Sequence, residues 1–438
     1  MSFDLPTLPQ GWSYAPLDTC SQKNSITYGV VQPGAALISG KPLIRVNNFR
    51  DRHLDLSDVM YIAPEIESKY GRTRLCGGEV LLTVVGSVGQ VVVVPKQLAG
   101  FNVARAVAVI HPLPHIAPDW IAICLRSPLS QQLLGSRANT TVQTTINLKD
   151  VRALPIPLPP EAERQAIAEF VCALDDRITL LRETNATLEA IAQALFKSWF
   201  VDFDPVRAKM QGRAPEGMDE ATAALFPDGF EESALGLVPK GWRVMSIGDA
   251  VEAVGGATPD TKNPVFWEPS VHCWTTPKDL SGIPSPVLLD TERKLSDEGL
   301  AKIGSGLLPA GTLLLSSRAP IGYLALAQVP LAINQGYIAM LVGGLLPPLF
   351  MLFWCQLNME TIKGRANGST FMEISKKAFR PIPALVPPPE LVSAFVDIAG
   401  TLFDRLVENA KQAQTLATLR DTLLPRLISG ALRLPEAP

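Results

Sequence analysis

The chain has 438 residues, 47% of them hydrophobic and 18% charged, with a formal net charge of −3 at pH 7. This length exceeds what one hydrophobic core supports and predicts two or three domains. The near-neutral charge argues against a generic basic nucleic-acid binder. No run of about 18 uninterrupted apolar residues predicts a membrane-spanning helix. The six cysteines are scattered without a CxxC pair, which predicts reduced thiols. The four histidines lack metal-ligand spacing, so no metal site is predicted. Since the sequence shows no export signal, a cytoplasmic protein is predicted.

Charge is distributed unevenly along the chain. Residues 1–156 carry 14 Lys and Arg against 10 Asp and Glu, and residues 236–386 carry 13 against 11. The acidic stretches are residues 157–235, with 7 against 15, and residues 387–438, with 5 against 6. Two mildly basic modules that alternate with acidic segments suit modules that contact DNA and segments that contact protein.

The first module, residues 1–156, is predicted to mix α and β structure. The run from Val80 to Val94 is rich in β-branched residues and is interrupted by glycine, which is typical of paired strands joined by a turn. Residues 120–134 have helical spacing without an internal glycine.

A long helix is predicted over residues 157–210. Prolines and glutamates stand where it begins, and Pro205 is predicted to stop it. Apolar residues alternate in steps of four and three, which is a heptad pattern interrupted by Asn185. A single apolar stripe is stable only against a partner. The predicted seam residues are Ile167, Val171, Leu174, Ile178, Leu181, Leu188, Leu195 and Trp199.

The second half of the chain follows the same plan. Residues 211–237 are acidic and punctuated by Pro and Gly, which predicts a linker. A second module is predicted over residues 238–386 and a second heptad helix over residues 387–432, with Asn409 and Arg420 as polar exceptions. The predicted seam residues of that helix are Phe395, Leu402, Leu406, Leu416, Leu423 and Leu427.

Three landmarks recur in the same order and indicate an internal duplication. Trp12 opens the first module and Trp242 the second, each after a Pro-x-Gly. The runs 78–82 and 311–315 correspond. A third pattern, Ile-x-x-Lys-x-x-Arg, precedes each helix.

The predicted fold class is α+β, with two α/β modules joined by two long coiled-coil helices. Antiparallel pairing relates the modules by a pseudo-twofold axis, whereas parallel pairing places them at one end. Two similar modules at a fixed separation suit a bipartite DNA target.

Candidate DNA contacts are polar residues on loops rich in Gly and Pro, because Arg and Lys suit guanine, Asn and Gln suit adenine, and hydroxyls suit phosphate. Each alone is more simply explained as a solvated loop residue or a cap. In the first module they are Gln32, Lys41, Arg45, Asn47, Arg105, Asn139, Thr140 and Gln143. In the second they are Thr258, Lys262, Thr276, Lys278, Ser317, Arg318, Asn334, Gln335, Ser369 and Thr370.

Catalytic readings find little support in the sequence. Asn263-Pro264-Val265-Phe266 approaches the target-base element of a methyltransferase, but no Gly-rich cofactor loop precedes it. Asp260 with Glu292 and Lys294 mimics nuclease spacing by residues that are common in any chain. Gly40-Lys41 continues into Pro42 where a nucleotide-binding loop needs Ser or Thr. No catalytic residue is predicted.

Four stretches carry a resemblance: AQALFKSWFVDFDPVR (192–207), PIPLPPEAERQAIAEFV (155–171), GGATPDTKNPVFWEPSVHCWTTPKDL (255–280) and YGVVQPG (28–34). Essentially the whole chain resembles the specificity subunit of type I restriction-modification systems. The resemblance implies two target recognition domains, each followed by a long helix, in a non-catalytic subunit that reads a split site in double-stranded DNA.

The same resemblance implies the partners. They are two modification subunits, which methylate adenines with S-adenosylmethionine, and two restriction subunits, which use ATP and Mg²⁺; the chain itself binds none of these cofactors. Arg420 in the seam departs from the pattern and predicts looser pairing there or a surface toward a modification subunit. The alternative is a duplicated coiled-coil adaptor that binds proteins and not DNA.

Overall fold

The structure is a computed structural model that describes residues 5–50, 52–140, 144–368 and 372–434. The chain divides into unit 1, which comprises residues 1–177 and 415–438, and unit 2, which comprises residues 178–414. Each unit contains one of the predicted modules and part of each long helix. Within the described ranges, no helix is both long and apolar enough to cross a membrane.

Unit 1 is built on two small sheets. Its four-stranded sheet has the order β2-β10-β7-β8, and its three-stranded sheet has the order β6-β3-β9, in which β3 and β9 run parallel. The strands are β1 (Ser13–Pro16), β2 (Thr27–Tyr28), β3 (Lys41–Ile44), β4 (Phe49–Arg50), β5 (His53–Leu54), β6 (Met60–Ile62), β7 (Val80–Thr83), β8 (Val91–Val93), β9 (Asn102–Val103), β10 (Val107–Ile110), β11 (Asn139–Thr140), β12 (Thr144–Thr145) and β13 (Pro155–Leu158). The predicted strand pair at residues 80–94 is confirmed, with Val80 opposite Val93.

Most helices of the first module pack on one face of the four-stranded sheet, whereas Ile66 of the first short helix packs against Leu43 and Ile62 of the three-stranded sheet. They are α1 (Pro64–Glu67), α2 (Pro118–Arg126), α3 (Pro128–Arg137) and α4 (Leu148–Arg152), followed by the long helix α5 (Glu161–Phe200). The helix predicted at residues 120–134 is two helices, because Ser127 leaves the helical conformation and its side chain accepts a hydrogen bond from the amide of Ser130. Trp120 of α2 is fully buried and donates its indole N–H to the carbonyl of Pro157.

Unit 2 repeats this plan. Its strands are β14 (Phe230–Ser233), β15 (Gly236–Pro239), β16 (Arg243–Ser246), β17 (Ala253–Val254), β18 (His272–Thr275), β19 (Val287–Leu288), β20 (Arg293–Leu295), β21 (Leu313–Ser316), β22 (Leu324–Ala327), β23 (Leu331–Ile333), β24 (Tyr337–Met340) and β25 (Pro383–Val386). Its helices are α6 (Asp204–Met210), α7 (Glu220–Ala224), α8 (Ile247–Ala250), α9 (Asp297–Leu300), α10 (Pro348–Leu357), α11 (Met359–Gly364), α12 (Lys376–Phe379) and the long α13 (Pro389–Ile428).

The sheets of unit 2 have the orders β17-β24-β21-β22-β19 and β20-β18-β23, with β18 and β23 parallel. The order β2-β10-β7-β8 of unit 1 thus recurs as β17-β24-β21-β22, and β6-β3-β9 recurs as β20-β18-β23. The strand that opens each module pairs with the strand that leads into the long helix, as β1 with β13 and β16 with β25. The internal duplication predicted from the sequence is therefore present in the fold.

Two boundaries differ from the prediction. The central helix ends at Phe200 and not near residue 210, because Phe203 takes a left-handed conformation with φ of 57° and Pro205 lies in the first turn of a separate helix, α6. Residues 211–237, predicted as a linker, contain α7 and the first strand of the hairpin β14–β15. Short local hydrogen-bonded elements of this kind leave no sustained hydrophobic period in the sequence.

In unit 1, the first part of α5 packs antiparallel on the last part of α13. Ile167 and Val171 share a core with Leu424 and Leu427. Arg420 pairs with Asp175 at 2.8 Å. Farther along, Arg433 pairs with Glu163 at 3.6 Å, so later residues of one segment meet earlier residues of the other. Antiparallel pairing is thus the arrangement present in this unit, and Arg420 is held by an ion pair and not left in a loose seam.

In unit 2, the last part of α5 packs antiparallel on the first part of α13. The rings of Phe196 and Phe395 lie 5.4 Å apart. Closer to the middle of the helices, Asn185 donates to the carbonyl of Leu406 at 3.0 Å and accepts from the side chain of Asn409 at 3.0 Å. The two asparagines that interrupt the predicted seams are therefore partners of each other.

None of the predicted seam residues is fully exposed. Eight are buried and six half-buried. Several buried helix residues lie one position beyond the predicted seam, including Phe196, Phe403 and Leu424. Phe196 also contacts Phe350 of α10, at 4.8 Å between ring centroids. The buried stripe is wider than a coiled-coil seam because each helix packs on a module as well as on its partner helix.

Candidate nucleic-acid interface

In each unit the ends of three strands meet at one edge. The parallel strands β3 and β9 end side by side at Ile44 and Val103, and β7 ends beside the start of β10. In unit 2 the same is true of β18, β23 and β21. We call this feature the strand-end edge: residues 44–48, 84–86 and 104–106 in unit 1, and residues 275–279, 317–319 and 334–336 in unit 2.

The two edges are held by equivalent backbone hydrogen bonds. In unit 1 the amides of Val30, Ala104, Val84 and Ile146 donate to the carbonyls of Val103, Ile44, Ala106 and Val84 at 2.7, 2.8, 2.8 and 3.0 Å. In unit 2 the amides of Ala257, Asn334, Ser317 and Ile374 donate to those of Ile333, Thr275, Gly336 and Ser317 at 3.0, 3.1, 2.8 and 3.0 Å. Ala104 thus corresponds to Asn334, and the next residues, Arg105 and Gln335, correspond to each other.

The loop that opens each module crosses this edge at a glycine. A Cβ built on Gly29 would lie 2.0 Å from the carbonyl oxygen of Val103, and one built on Gly256 would lie 1.7 Å from that of Ile333. Only glycine allows so close an approach of two backbones. The glycine therefore seats the polar loop that follows it, with Gln32 in unit 1 and with Thr258 and Lys262 in unit 2, beside the strand-end edge.

We expect Gly256→Ala to unseat the loop of unit 2. A side chain forced into a filled space typically costs about 1–3 kcal/mol, so the amide of Ala257, which donates to Ile333, should exchange its hydrogen roughly 5- to 150-fold faster. Hydrogen exchange read by mass spectrometry measures this. Gly304→Ala is the matched control, because a Cβ there meets no atom within 4 Å. Equal protection of Ala257 in both variants would contradict the role given to Gly256.

A short turn follows the first strand of each edge. Residues 46–48 and 277–280 form 3-10 turns. The amide of Arg45 donates to the side chain of Asn48 at 2.8 Å, and that of Thr276 donates to the side chain of Asp279 at 2.7 Å. Sequence reasoning missed Asn48 and Asp279, although the spacing of a cap and a polar side chain three residues later is a recognisable signal. The hydroxyl of Thr276 also donates to the carboxylate of Asp279, at 3.1 Å, so this side chain is engaged in its own turn.

Five candidates of unit 1 separate into three groups. Arg45 and Asn47 both donate to the carboxylate of Asp58, at 3.0 and 3.1 Å. Gln32 and Arg105 are exposed. Lys41 does not lie at the strand-end edge, because it is the first residue of β3 and the edge begins after the last. Lys41 is therefore removed from the candidate interface.

Most candidates of unit 2 lie at the edge, but their side chains differ in availability. Ser317 is 3% exposed, and the side-chain oxygen of Asn334 accepts from the amide of Gly336 at 2.8 Å, so both residues serve the fold. Arg318 approaches Glu373 at 3.6 Å. Lys278 donates to Glu292 at 2.9 Å, and this bond raises the pKa of Lys278, which stays protonated. Besides Lys278, the exposed candidates are Thr258, Lys262 and Gln335.

One further loop reaches each edge. In unit 1, β11 and β12 pair antiparallel, and Thr145 of β12 bridges to Val85 in the loop that follows β7. In unit 2, Arg318 and Asn367 both bridge to Glu373. The candidates Asn139 and Thr140 form β11, of which the structure describes the backbone. Gln143, Ser369 and Thr370 lie outside the described residues.

Two tryptophans of unit 2, and Asn263 of the methyltransferase-like stretch, have structural partners. Trp267 and Trp274 are 8% and 2% exposed, and the guanidinium of Arg293 stacks on Trp267 at 3.4 Å, so neither indole is open to a base. The side chain of Asn263 caps a turn by accepting from Val265 at 3.2 Å. In the part of the chain that the structure describes, no three His, Cys, Asp or Glu residues are grouped to hold a metal ion.

Comparison with known proteins assigns the two modules. The family model described as the type I restriction modification DNA specificity domain matches residues 35–190 and 239–413, together more than half of the chain. The chain belongs to the type I restriction-modification DNA specificity family. Because both modules match a DNA specificity domain, a protein adaptor without DNA recognition is not favoured.

Two specificity subunits match this chain over different shares of its length. The HindI specificity subunit of Haemophilus influenzae is 27% identical over 395 residues, covering 78% of this chain and 84% of the relative. The EcoBI specificity subunit of Escherichia coli is 33% identical over 198 residues, covering 43% of this chain and 42% of the relative. The S subunit of a type I system from M. genitalium shares the fold, with a TM-score of 0.52 at 16% identity, and the match covers 99% of this chain and 100% of the other.

Proposed function

We propose that this chain is the DNA-recognition subunit of a type I restriction-modification complex and that each unit contacts one half of a bipartite target. One observation carries the proposal: the same strand-end edge is built twice in one chain, by equivalent hydrogen bonds, and is lined each time by different polar side chains. The two strand-end edges share one backbone geometry but carry different side chains. This suits two half-sites of different sequence, because a protein distinguishes bases by their hydrogen-bond donors and acceptors.

In this proposal α5 and α13 set the gap between the half-sites, and their outer faces contact two modification and two restriction subunits. The acidic charge of residues 157–235 supports a protein-contacting role, since that segment would be repelled by DNA phosphates. The chain performs no chemistry. S-adenosylmethionine is held by the modification subunits and ATP with Mg²⁺ by the restriction subunits, and the complex acts on DNA in the cytoplasm.

The proposal is tested by expressing the chain with a modification subunit from the same organism, in a host free of DNA methylation. Single-molecule sequencing then maps modified adenines across the genome. We expect one split motif with a methylated adenine in each half. A soluble complex that neither marks nor binds duplex DNA would overturn the proposal and return the protein adaptor as the explanation.

The role of the helices is tested by their length. A heptad inserted into both helices, in α5 between Asp175 and Asn185 and in α13 between Asn409 and Arg420, lengthens each by about 10 Å while keeping both sets of partners. We expect binding to persist with a longer preferred gap, read by motif mapping. The same heptad in α5 alone is the control and should abolish pairing. A functional double insertion with an unchanged gap would show that the helices do not set it.

A further inference from the structure

We infer that Arg105 and Gln335 are the corresponding base-reading residues of the two edges, with Arg105 selecting guanine in one half-site and Gln335 selecting adenine in the other. This inference rests on the proposed function and names what each unit recognises. Its starting point is the equivalence of the two positions. Each residue follows the amide that joins the two parallel strand ends, Ala104 to Ile44 at 2.8 Å and Asn334 to Thr275 at 3.1 Å.

Both positions face away from the core. The buried strands β9 and β23 end two residues before them, and β10 and β24 begin two residues after them, so position 105 or 335 is the middle of a three-residue connection between two strands. Arg105 and Gln335 are exposed, while Val103 and Ile333 are fully buried. A side chain at such a position is aimed outward by a backbone that is fixed on both sides. This placement favours a positioned contact over a mobile one.

Several neighbouring candidates are held by a carboxylate of the protein, whereas neither Arg105 nor Gln335 is. Arg45 and Asn47 are held by Asp58, Lys278 by Glu292 and Arg318 by Glu373. By contrast, the guanidinium of Arg105 forms no ion pair or hydrogen bond with any residue that the structure describes. It keeps its full set of donors for a ligand.

Gln335 is oriented by one contact that leaves its amide usable. The hydroxyl of Thr258 donates to its side-chain oxygen at 2.7 Å. An amide oxygen has two lone pairs, and the amide nitrogen has two hydrogens, so one acceptor site and both donors remain. Since Thr258 belongs to the loop seated by Gly256, this contact positions the Gln335 amide at the strand-end edge.

The chemistry of each side chain then selects a base. A guanidinium donates two parallel hydrogen bonds to O6 and N7 of guanine, whereas an oriented carboxamide donates to N7 and accepts from N6 of adenine. A good bidentate pair discriminates against the wrong base by about 5- to 150-fold. The two half-sites should therefore differ at corresponding positions, guanine in one and adenine in the other.

The test exchanges the two side chains in the full chain, bound to its modification subunit. Arg105→Gln and Gln335→Arg are compared with the unsubstituted protein by selecting bound duplexes from a randomised pool and sequencing them, so the readout is binding and does not depend on methylation. We expect R105Q to change one guanine to adenine in one half-site only, and Q335R to change one adenine to guanine in the other half-site only. The gap and the remaining bases stay as they were.

Control variants carry the same changes outside the edge. Lys41→Gln removes a positive charge at the end of β3 that lies away from the edge. Gln328→Arg adds a positive charge just after β22, next to the end of β21 that lies away from the edge. Neither should alter the motif. Arg105→Lys keeps the charge but loses the paired donors, and should relax the guanine preference while binding persists. An unchanged motif in R105Q and Q335R, changes in the same half-site, or a uniform loss of affinity for all sequences would overturn the inference. Absence of any split motif for the unsubstituted protein would instead overturn the proposed function.

Discussion

Replacement of Asp175 by alanine is expected to be the most damaging single change in the helix pair of unit 1. Asp175 lies in α5 and its carboxylate faces three arginines. Arg420 donates to it at 2.8 Å, Arg126 lies 4.0 Å away, and Arg52 forms an ion pair with it. The side chains involved are only 12 to 26% exposed. Removing a shared acceptor leaves several half-buried positive charges facing one another.

Arg126 is the most vulnerable of the three. Burial, followed by repulsion from Arg52, lowers the pKa of Arg126 to about 10, and Asp175 opposes that shift. Without Asp175, Arg126 retains the carbonyl of Val91, to which its guanidinium donates at 2.9 and 3.2 Å. Breaking a buried pair from one side costs about 3–5 kcal/mol. Since the groups here are partly exposed, we expect a loss near the lower end, about 3 kcal/mol.

Local hydrogen exchange measures this loss, because it reports the opening of one region in a chain of two units. Amides of residues 165–177 should exchange about 100-fold faster in Asp175→Ala at neutral pH. Asp176→Ala removes the same charge from an exposed neighbour and should leave exchange unchanged. Arg420→Leu should cost less than Asp175→Ala, because Asp175 keeps Arg52 and the seam gains an apolar side chain. Equal effects of the Asp175 and Asp176 changes would refute the shared-acceptor account.

The asparagine pair of unit 2 is expected to show the second largest effect. Asn185 and Asn409 are 3% and 2% exposed and hydrogen-bond each other. Asn185→Leu leaves the amide of Asn409 buried without its acceptor, which costs about 1–3 kcal/mol. Changing both residues to leucine removes the buried amide that lacks a partner. The double variant should therefore recover most of the lost free energy of unfolding. A polar pair at one level of a heptad seam also penalises shifted registers, and the double variant should lose that restriction.

The double-mutant cycle is read from exchange of amides 181–192 and 402–412 in the two single variants and the double variant. The expected coupling between the two asparagines is about 1–3 kcal/mol. Gln412→Leu, an exposed substitution on α13, provides the control for adding an apolar side chain. If the two single losses simply add in the double variant, the asparagines do not act as a pair.

Local sequence patterns predicted much of this fold. The strand pair at residues 80–94 follows from a β-branched run cut by glycine, and the long helices follow from heptad spacing, because both depend on side chains near in sequence. The end of α5 at Phe200 was not foretold. This helix end depends on a left-handed conformation at Phe203. Phenylalanine rarely adopts that conformation, and the local composition does not indicate it.

The candidate interface divides in the same way. Polar loop residues could be chosen from the sequence because Gly and Pro mark loops and the side-chain types match base edges. Lys41 was chosen on those grounds and lies at the far end of its strand, while Thr276 and Asn334 satisfy their own turns. Whether a polar side chain is available depends on neighbours such as Asp58, Glu292 and Glu373, which are distant in sequence from some of the groups they hold.

By itself, the sequence determined that this protein is a duplication of one module and one heptad helix, and that it resembles a DNA specificity subunit. Repeats, periodicity and residue types are properties of the chain order. Only the tertiary structure decided that Asn185 meets Asn409, that Asp175 is shared by three arginines, and that Arg105 and Gln335 occupy one position in two copies. These pairings depend on strand and helix register, which is set by the packing of residues tens to hundreds of positions apart.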